Sequence, residues 1–140
     1  ACVVLTAYIP MLMDTGGNAG GQASVTIIRG LSLNEIEFKD AFKVVWKEAR
    51  VAVLCGLTLA AANFVKLLLF DRVTIAVAAV VCLTLVAAVF IAKIIGCLLP
   101  MLAKKIGFDP AVMASPFITT IVDALSLLIY FSIATAIMHI

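Results

Sequence analysis

The sequence predicts an all-α fold, a polytopic membrane helical bundle, and three observations carry that prediction. Apolar residues make up 65 % of the chain and charged residues 13 %, with a mean hydropathy of +1.25. Soluble domains run near 45–50 % apolar and about 25 % charged. Twenty consecutive positions from Val73 to Ala92 carry no charge, enough for a helix to cross roughly 30 Å of hydrocarbon. The charges that do occur cluster between the apolar runs, as they do in connecting loops.

Four spanning helices are expected, over about 1–28, 51–70, 74–102 and 116–139. The first contains "MLMDTGGNAGGQ", and two glycine pairs predict an interruption near Gly16–Gly21, since each Gly weakens a helix by roughly 1 kcal/mol. A polar linker follows. Within it Asn34 and Glu37 stand at capping-box spacing. Ile36, Phe38, Phe42 and Trp46 then predict a short amphipathic stretch along the membrane surface. The second span ends at the turn "DRV", and the third ends in "LAKKIGFDP". Asp109 is suited to an N-cap with Pro110 at N1. "DPAVMAS" reads as a short half-helix, and the last span restarts at Pro116.

Basic residues orient the bundle. Arg29, Lys39, Lys43, Lys47, Arg50, Lys104 and Lys105 belong to the long linker and the "AKKIGFDP" loop, whereas the other end holds Lys66 and Arg72. The linker and that loop are therefore expected on the cytoplasmic side of a cell membrane. Both termini then fall outside, and the apolar start without Met reads as a piece of a longer chain with an earlier span.

Several functions are excluded or disfavoured. A formal charge of +2 is too small for nucleic-acid binding. Cys2, Cys55, Cys82 and Cys97 stand alone in apolar runs without CxxC spacing, so they read as small hydrophobes rather than zinc or redox groups. No nucleophile–base pair and no nucleotide motif is present, so the chain does not read as an enzyme.

Asp14 and Asp123 are the two of eight acidic residues that fall inside expected spans, and intramembrane carboxylates mark functional sites. On a helix Thr119, Asp123, Ser126 and Tyr130 form one polar stripe at i−4, i, i+3 and i+7. Pro116 upstream frees the carbonyl of Val112. These are hard oxygen ligands, suited to magnesium, calcium or manganese and poorly to copper or zinc. The alternatives for Asp123 are a structural salt bridge with Lys93 or Lys66, or a proton relay. Gly16 with Gly20 and Gly17 with Gly21 form interleaved GxxxG pairs, which pack helices closely. Packing alone does not call for Asn18 and Gln22. The stretch therefore also reads as a pore wall, where irregular backbone is tolerated against a water-filled cavity.

"IPMLMDTGGNAGGQASVTIIRGL" followed by "DPAVMASPFITTIVDALSLLIYFSIA" resembles the MgtE family of magnesium channels and its eukaryotic solute-carrier relatives. The resemblance covers essentially the whole chain. It implies helices two to five of a five-helix membrane domain, without the first helix or the cytosolic N and CBS domains. It further implies a homodimer in the bilayer with the pore at the subunit interface. Asp123 of "TTIVD" would be the central Mg2+ ligand, with backbone oxygen near Thr119 and the side chain of Ser115 facing the same ion. Glu48 and Asp109 would lie near the cytosolic mouth as further metal-binding acids, with a solvated face and an N-cap as their alternatives. Gly17, Asn18, Gly20, Gln22 and Ser126 are expected to line the pore. Hard-ligand preference alone admits Mn2+, Co2+ and Ca2+ beside Mg2+.

The mechanism expected is conduction. Two Asp123 carboxylates facing across a two-fold axis repel unless a cation sits between them. Magnesium keeps several waters and takes one or two carboxylates, so a hydrated divalent ion would pass down its electrochemical gradient. A cation-coupled secondary transporter would also place an acid at the midplane and would show coupled flux. A structural membrane subunit would tolerate Asp123→Asn.

Overall fold

The computed structural model describes residues 2–113 and 116–138. All regular structure among them is helical: α1 (Cys2–Thr6), α2 (Ile9–Ser32), α3 (Ala41–Leu69), α4 (Ile75–Lys105) and α5 (Pro116–Met138). Short 3-10 turns at Phe38–Asp40 and Pro110–Met113 precede α3 and α5. Three helices are long and apolar enough to cross a membrane: α3 with its leading turn, α4 and α5. At 24 residues α2 is also long, about 36 Å at the helical rise, but its polar and glycine positions make it less apolar.

The chain breaks where Pro10 stands, not at the glycines. A proline ring clashes with the carbonyl four residues back, and the helix stops at Thr6 and restarts at Ile9. From there α2 runs unbroken through Gly16, Gly17, Gly20 and Gly21, contrary to the interruption expected. The propensity lost at those glycines is offset by close packing. A Cβ on Gly16 would sit 3.0 Å from Val122 Cγ1, and one on Gly20 would sit 2.8 Å from Ile118 Cγ2 and 3.1 Å from the Ala92 carbonyl oxygen. Opposite, a Cβ on Gly96 of α4 would collide with the Gly20 carbonyl oxygen.

The linker also departs from expectation. Asn34 ends α2 rather than starting a helix. It adopts φ +55°, while Glu35 N–H donates to the Gly30 carbonyl at 2.9 Å, the C-terminal motif in which Asn substitutes for Gly. The N-terminal cap falls to Glu37, whose N–H donates to Asp40 Oδ2 at 3.0 Å in a reciprocal box. Phe42 and Trp46 of the amphipathic stretch and the second span share one continuous helix, α3, while Ile36 and Phe38 precede it. Phe42 and Trp46 are exposed on its first turns. Gly107, at φ +86°, ends α4 as Phe108 N–H donates back to the Ala103 carbonyl at 2.9 Å. Asp109 does cap the next turn, accepting from Ala111 N–H at 2.9 Å.

Helix α4 lies at the centre and packs on α2, α3 and α5, while α2 also packs on α5. Its interior positions are small or branched: Ala78, Val81, Leu85, Ala88 and Ala92 are all essentially without exposure. Leu54, Leu57, Val65 and Leu69 of α3 and Leu128 and Phe131 of α5 point outward, which hydrocarbon tolerates and water would not. Cys82 and Cys97 are buried as small hydrophobes, whereas Cys55 is on the outer face.

The two ends of the bundle differ in charge. Lys104 Nζ donates to the Leu31 carbonyl at 2.7 Å, and Lys105 stands 4.1 Å over the Phe38 ring. The linker and the end of α4 therefore share one end, which gathers the basic residues. At the other end Asp71 accepts from Lys66 Nζ at 2.9 Å and from the Tyr8 hydroxyl at 3.1 Å. The Lys66 hydrogen bond, aided by Tyr8, holds the Asp71 carboxyl below the usual carboxylate range.

Two outcomes follow from this packing. Gly96→Ala should separate α2 from α4 and lower stability by about 1–3 kcal/mol, the usual range for overpacking. A Cβ at Gly21 meets nothing within 4 Å, so Gly21→Ala should hold or raise stability by up to about 1 kcal/mol. Thermal unfolding of both variants in detergent checks the contrast. A depressed carboxyl stabilises above its unfolded value, about 3.9, and that contribution fades as pH falls through the lower folded value. Asp71→Asn should therefore slightly reduce the thermal midpoint above about pH 4 and have no effect well below it. Melting curves across pH 2–7 test this window.

Candidate metal-conducting groove

Asp123 lies seven residues into α5 from Pro116, about 10 Å along the axis. It is half-buried, and the helix stays regular around it. Thr119, one turn earlier, shares its face. Together they close a small cleft of about 180 Å3 against Met13, Asp14, Gly17 and Asn18 of α2. Gly17 makes this approach close, since a Cβ there would be 3.2 Å from Thr119 Cγ2. Gly16 and Gly17 thus dock α5 onto α2 and bring two carboxylates, Asp14 and Asp123, to one cleft. Asn18 Nδ2 donates to Asp14 Oδ2 at 3.1 Å.

Adjoining the cleft is an open groove of about 660 Å3. Gly17, Asn18, Gly21 and Gln22 of α2 form one wall, Glu48 of α3 and Lys93 of α4 the other, with Thr119 beside them. Gly20 and Ser126 do not face it. Gly20 is buried beneath Ile118 and Ala92, and the Ser126 hydroxyl lies against Gly16. Tyr130, the last member of the stripe, is buried and donates to the Leu5 carbonyl at 2.8 Å. The stripe therefore divides, with Thr119 and Asp123 toward the groove side and Ser126 and Tyr130 into the packing.

The salt-bridge alternative for Asp123 finds no support in the geometry. Lys66 pairs with Asp71 at 2.9 Å, and Lys93 pairs with Glu48 at 3.1 Å. Among the described residues no ion pair reaches Asp123. The Lys93–Glu48 pair was not foreseen from sequence. Lys93 stands out as a charge within an apolar span, but its partner is 45 residues away on another helix, and no local spacing indicates it. Thr26 is a further groove-lining residue that sequence reasoning passed over.

Asp109 is occupied in capping its turn and lies apart from the groove lining. Ser115 lies outside the described residues. Among the described residues no three His, Cys, Asp or Glu side chains converge into a metal cage. Asp14 and Asp123 instead share a small open cleft beside a groove walled in part by polar side chains, an arrangement with room for a cation still carrying its water.

The comparisons with known proteins agree with this architecture. Residues 9–133 match the MgtE family model, described as a divalent cation transporter. The magnesium transporter MgtE of Thermus thermophilus is 38 % identical over 134 residues, covering 96 % of this chain and 29 % of that protein. Those of Bacillus subtilis and Enterococcus faecalis are each 33 % identical, over 98 % and 97 % of this chain and 30 % of theirs. The chain spans about three-tenths of the length of these relatives. With the family model matching nearly all of it, the chain belongs to the MgtE family of divalent cation transporters.

Proposed function

We propose that the chain forms the conducting part of a magnesium channel in the plasma membrane, working as a homodimer with Asp123 as its central ligand. The observation that carries this reading is the placement of Asp123. It is an intramembrane carboxylate, half-buried and facing a cleft, with both candidate lysines engaged elsewhere. An ionised carboxylate at such depth costs about 2.5–3.5 kcal/mol on insertion scales, and a cation offsets that cost. The naming of these relatives as magnesium transporters supports the choice of ion.

One carboxylate is a poor divalent site. A two-fold axis beside the α2–α5 cleft would bring two Asp123 side chains to one ion. Mg2+ surrenders water reluctantly, so the ion is held hydrated, its water shell bonding to the carboxylates, to backbone oxygen near Thr119 and to Asn18. Holding by water rather than by a closed cage keeps binding weak enough for release, as conduction requires. The membrane potential, inside negative, supplies about 2.3 kcal/mol per charge per 100 mV, hence about twice that for a divalent ion. The basic linker end faces the cytoplasm on the charge rule.

Magnesium flux into liposomes containing the purified protein tests this. Asp123→Ala should reduce flux at least about tenfold, the factor that about 1.4 kcal/mol produces. Unchanged flux in the variant would remove Asp123 from the pathway and leave a structural membrane subunit as the better reading. Flux that saturates and requires a counter-moving cation would indicate a coupled transporter instead.

A further inference from the structure

The groove contains an ion pair that the conduction scheme above does not use. Lys93 Nζ donates to Glu48 Oε2 at 3.1 Å, and the two side chains are only 8 % and 12 % exposed. Both nevertheless line the 660 Å3 groove, opposite the amide side chains of Asn18 and Gln22 and beside Thr26. A buried pair of this kind is weak evidence of a purely stabilising role, since apolar residues of similar size commonly do as well or better. It is also placed on a polar wall of the groove along which a cation would travel. Among the described residues Glu48 is the only carboxylate lining the groove, and the neighbouring oxygens of Asn18, Gln22 and Thr26 are hard donors of the type a divalent ion takes.

We propose that Lys93 is a tethered counter-cation that occupies the Glu48 carboxylate and thereby sets how tightly the groove holds a hydrated divalent cation. The ammonium and the incoming ion compete for one carboxylate. With Lys93 in place the groove is close to neutral, so an ion is attracted weakly and leaves readily. When a divalent ion takes Glu48, the long lysine side chain swings aside within the open groove. An ammonium at hydrogen-bond distance cancels much of a carboxylate's attraction for any other cation. A metal ion competing for the same oxygens meets a barrier of the same origin. Glu48 is thus a divalent site held shut by its own protein, not a free acid at the mouth. This inference rests on the reading of the groove as a cation pathway.

The test is Mn2+ binding to the purified protein, followed by loss of the free-ion resonance signal, because carboxylate, amide and water ligands suit Mn2+ as they do Mg2+. The measurements use an Asp123→Asn background, so that the Asp123 carboxylate does not contribute. Lys93→Met should tighten Mn2+ binding by about tenfold or more, and adding Glu48→Gln should abolish the gain. Unaltered affinity in Lys93→Met would overturn the proposal, as would a gain that survives Glu48→Gln. If Lys93→Met does not fold, Glu48→Gln alone decides. It should weaken Mn2+ binding below the parent, because the lysine charge is then uncompensated, and unchanged binding would overturn the proposal. Flux lost in Asp123→Asn with no tightening in Lys93→Met would sink this inference alone. Tightening in Lys93→Met with flux intact in Asp123→Asn would sink the conduction reading alone.

Discussion

Backbone contact between α2 and its neighbours is the constraint on which the other features depend. Gly20 and Gly96 meet with no room for a Cβ on either side. Water does not drive helices together inside a bilayer, so association relies on close packing. Glycines at the α2–α4 crossing allow that closeness, and Gly16 and Gly17 extend it to α5. Pro100, one turn beyond Gly96, leaves that residue's carbonyl without its helical donor. The same docking that holds three helices together also carries Asp123 and Thr119 to the α2 surface. Packing and site geometry are thus consequences of one set of small residues.

The charges show the complementary side of that constraint. A bilayer penalises each isolated charge, and the fold answers in different ways by depth. At one end Asp71 is satisfied by Lys66 and Tyr8. Beside the groove Glu48 and Lys93 satisfy each other. Asp14 takes a hydrogen bond from Asn18. Asp123 receives no such partner among the described residues, and it faces the cleft. The contrast between paired carboxylates and the one without an ion-pair partner among the described residues is what singles out Asp123 as the available ligand on the proposed ion pathway.

Much of this was legible before any coordinates. The apolar runs, the cap at Asp109, the exceptional position of Asp123 and the charge difference between the ends all follow from residue type and spacing. Where the reading failed, a tertiary contact outweighed a local rule. Gly16 to Gly21 were expected to break α2, because propensity counts only the helix itself and not the neighbours that a missing Cβ admits. Asn34 was expected to start a helix, yet its tolerance of left-handed backbone made it the end of α2. Phe42 and Trp46 were separated from the second span by their amphipathic spacing, but the backbone continues through them as α3.

Residue types and their spacing establish that the chain is an all-helical membrane protein, roughly where its helices lie, and which side chains are too polar for their surroundings. Which way those side chains face is settled only in the packed bundle. Leu and Val are equally at home against lipid and against another helix, so apolar periodicity cannot say which face of a membrane helix is the inner one. That is why the stripe on α5 could be recognised but not divided, with Ser126 and Tyr130 buried and Asp123 left at the cleft. It is also why Lys93 could be noticed but not paired. Its distance to Glu48 depends on how α3 and α4 are rotated about each other, and that rotation is settled by the packing of the whole bundle.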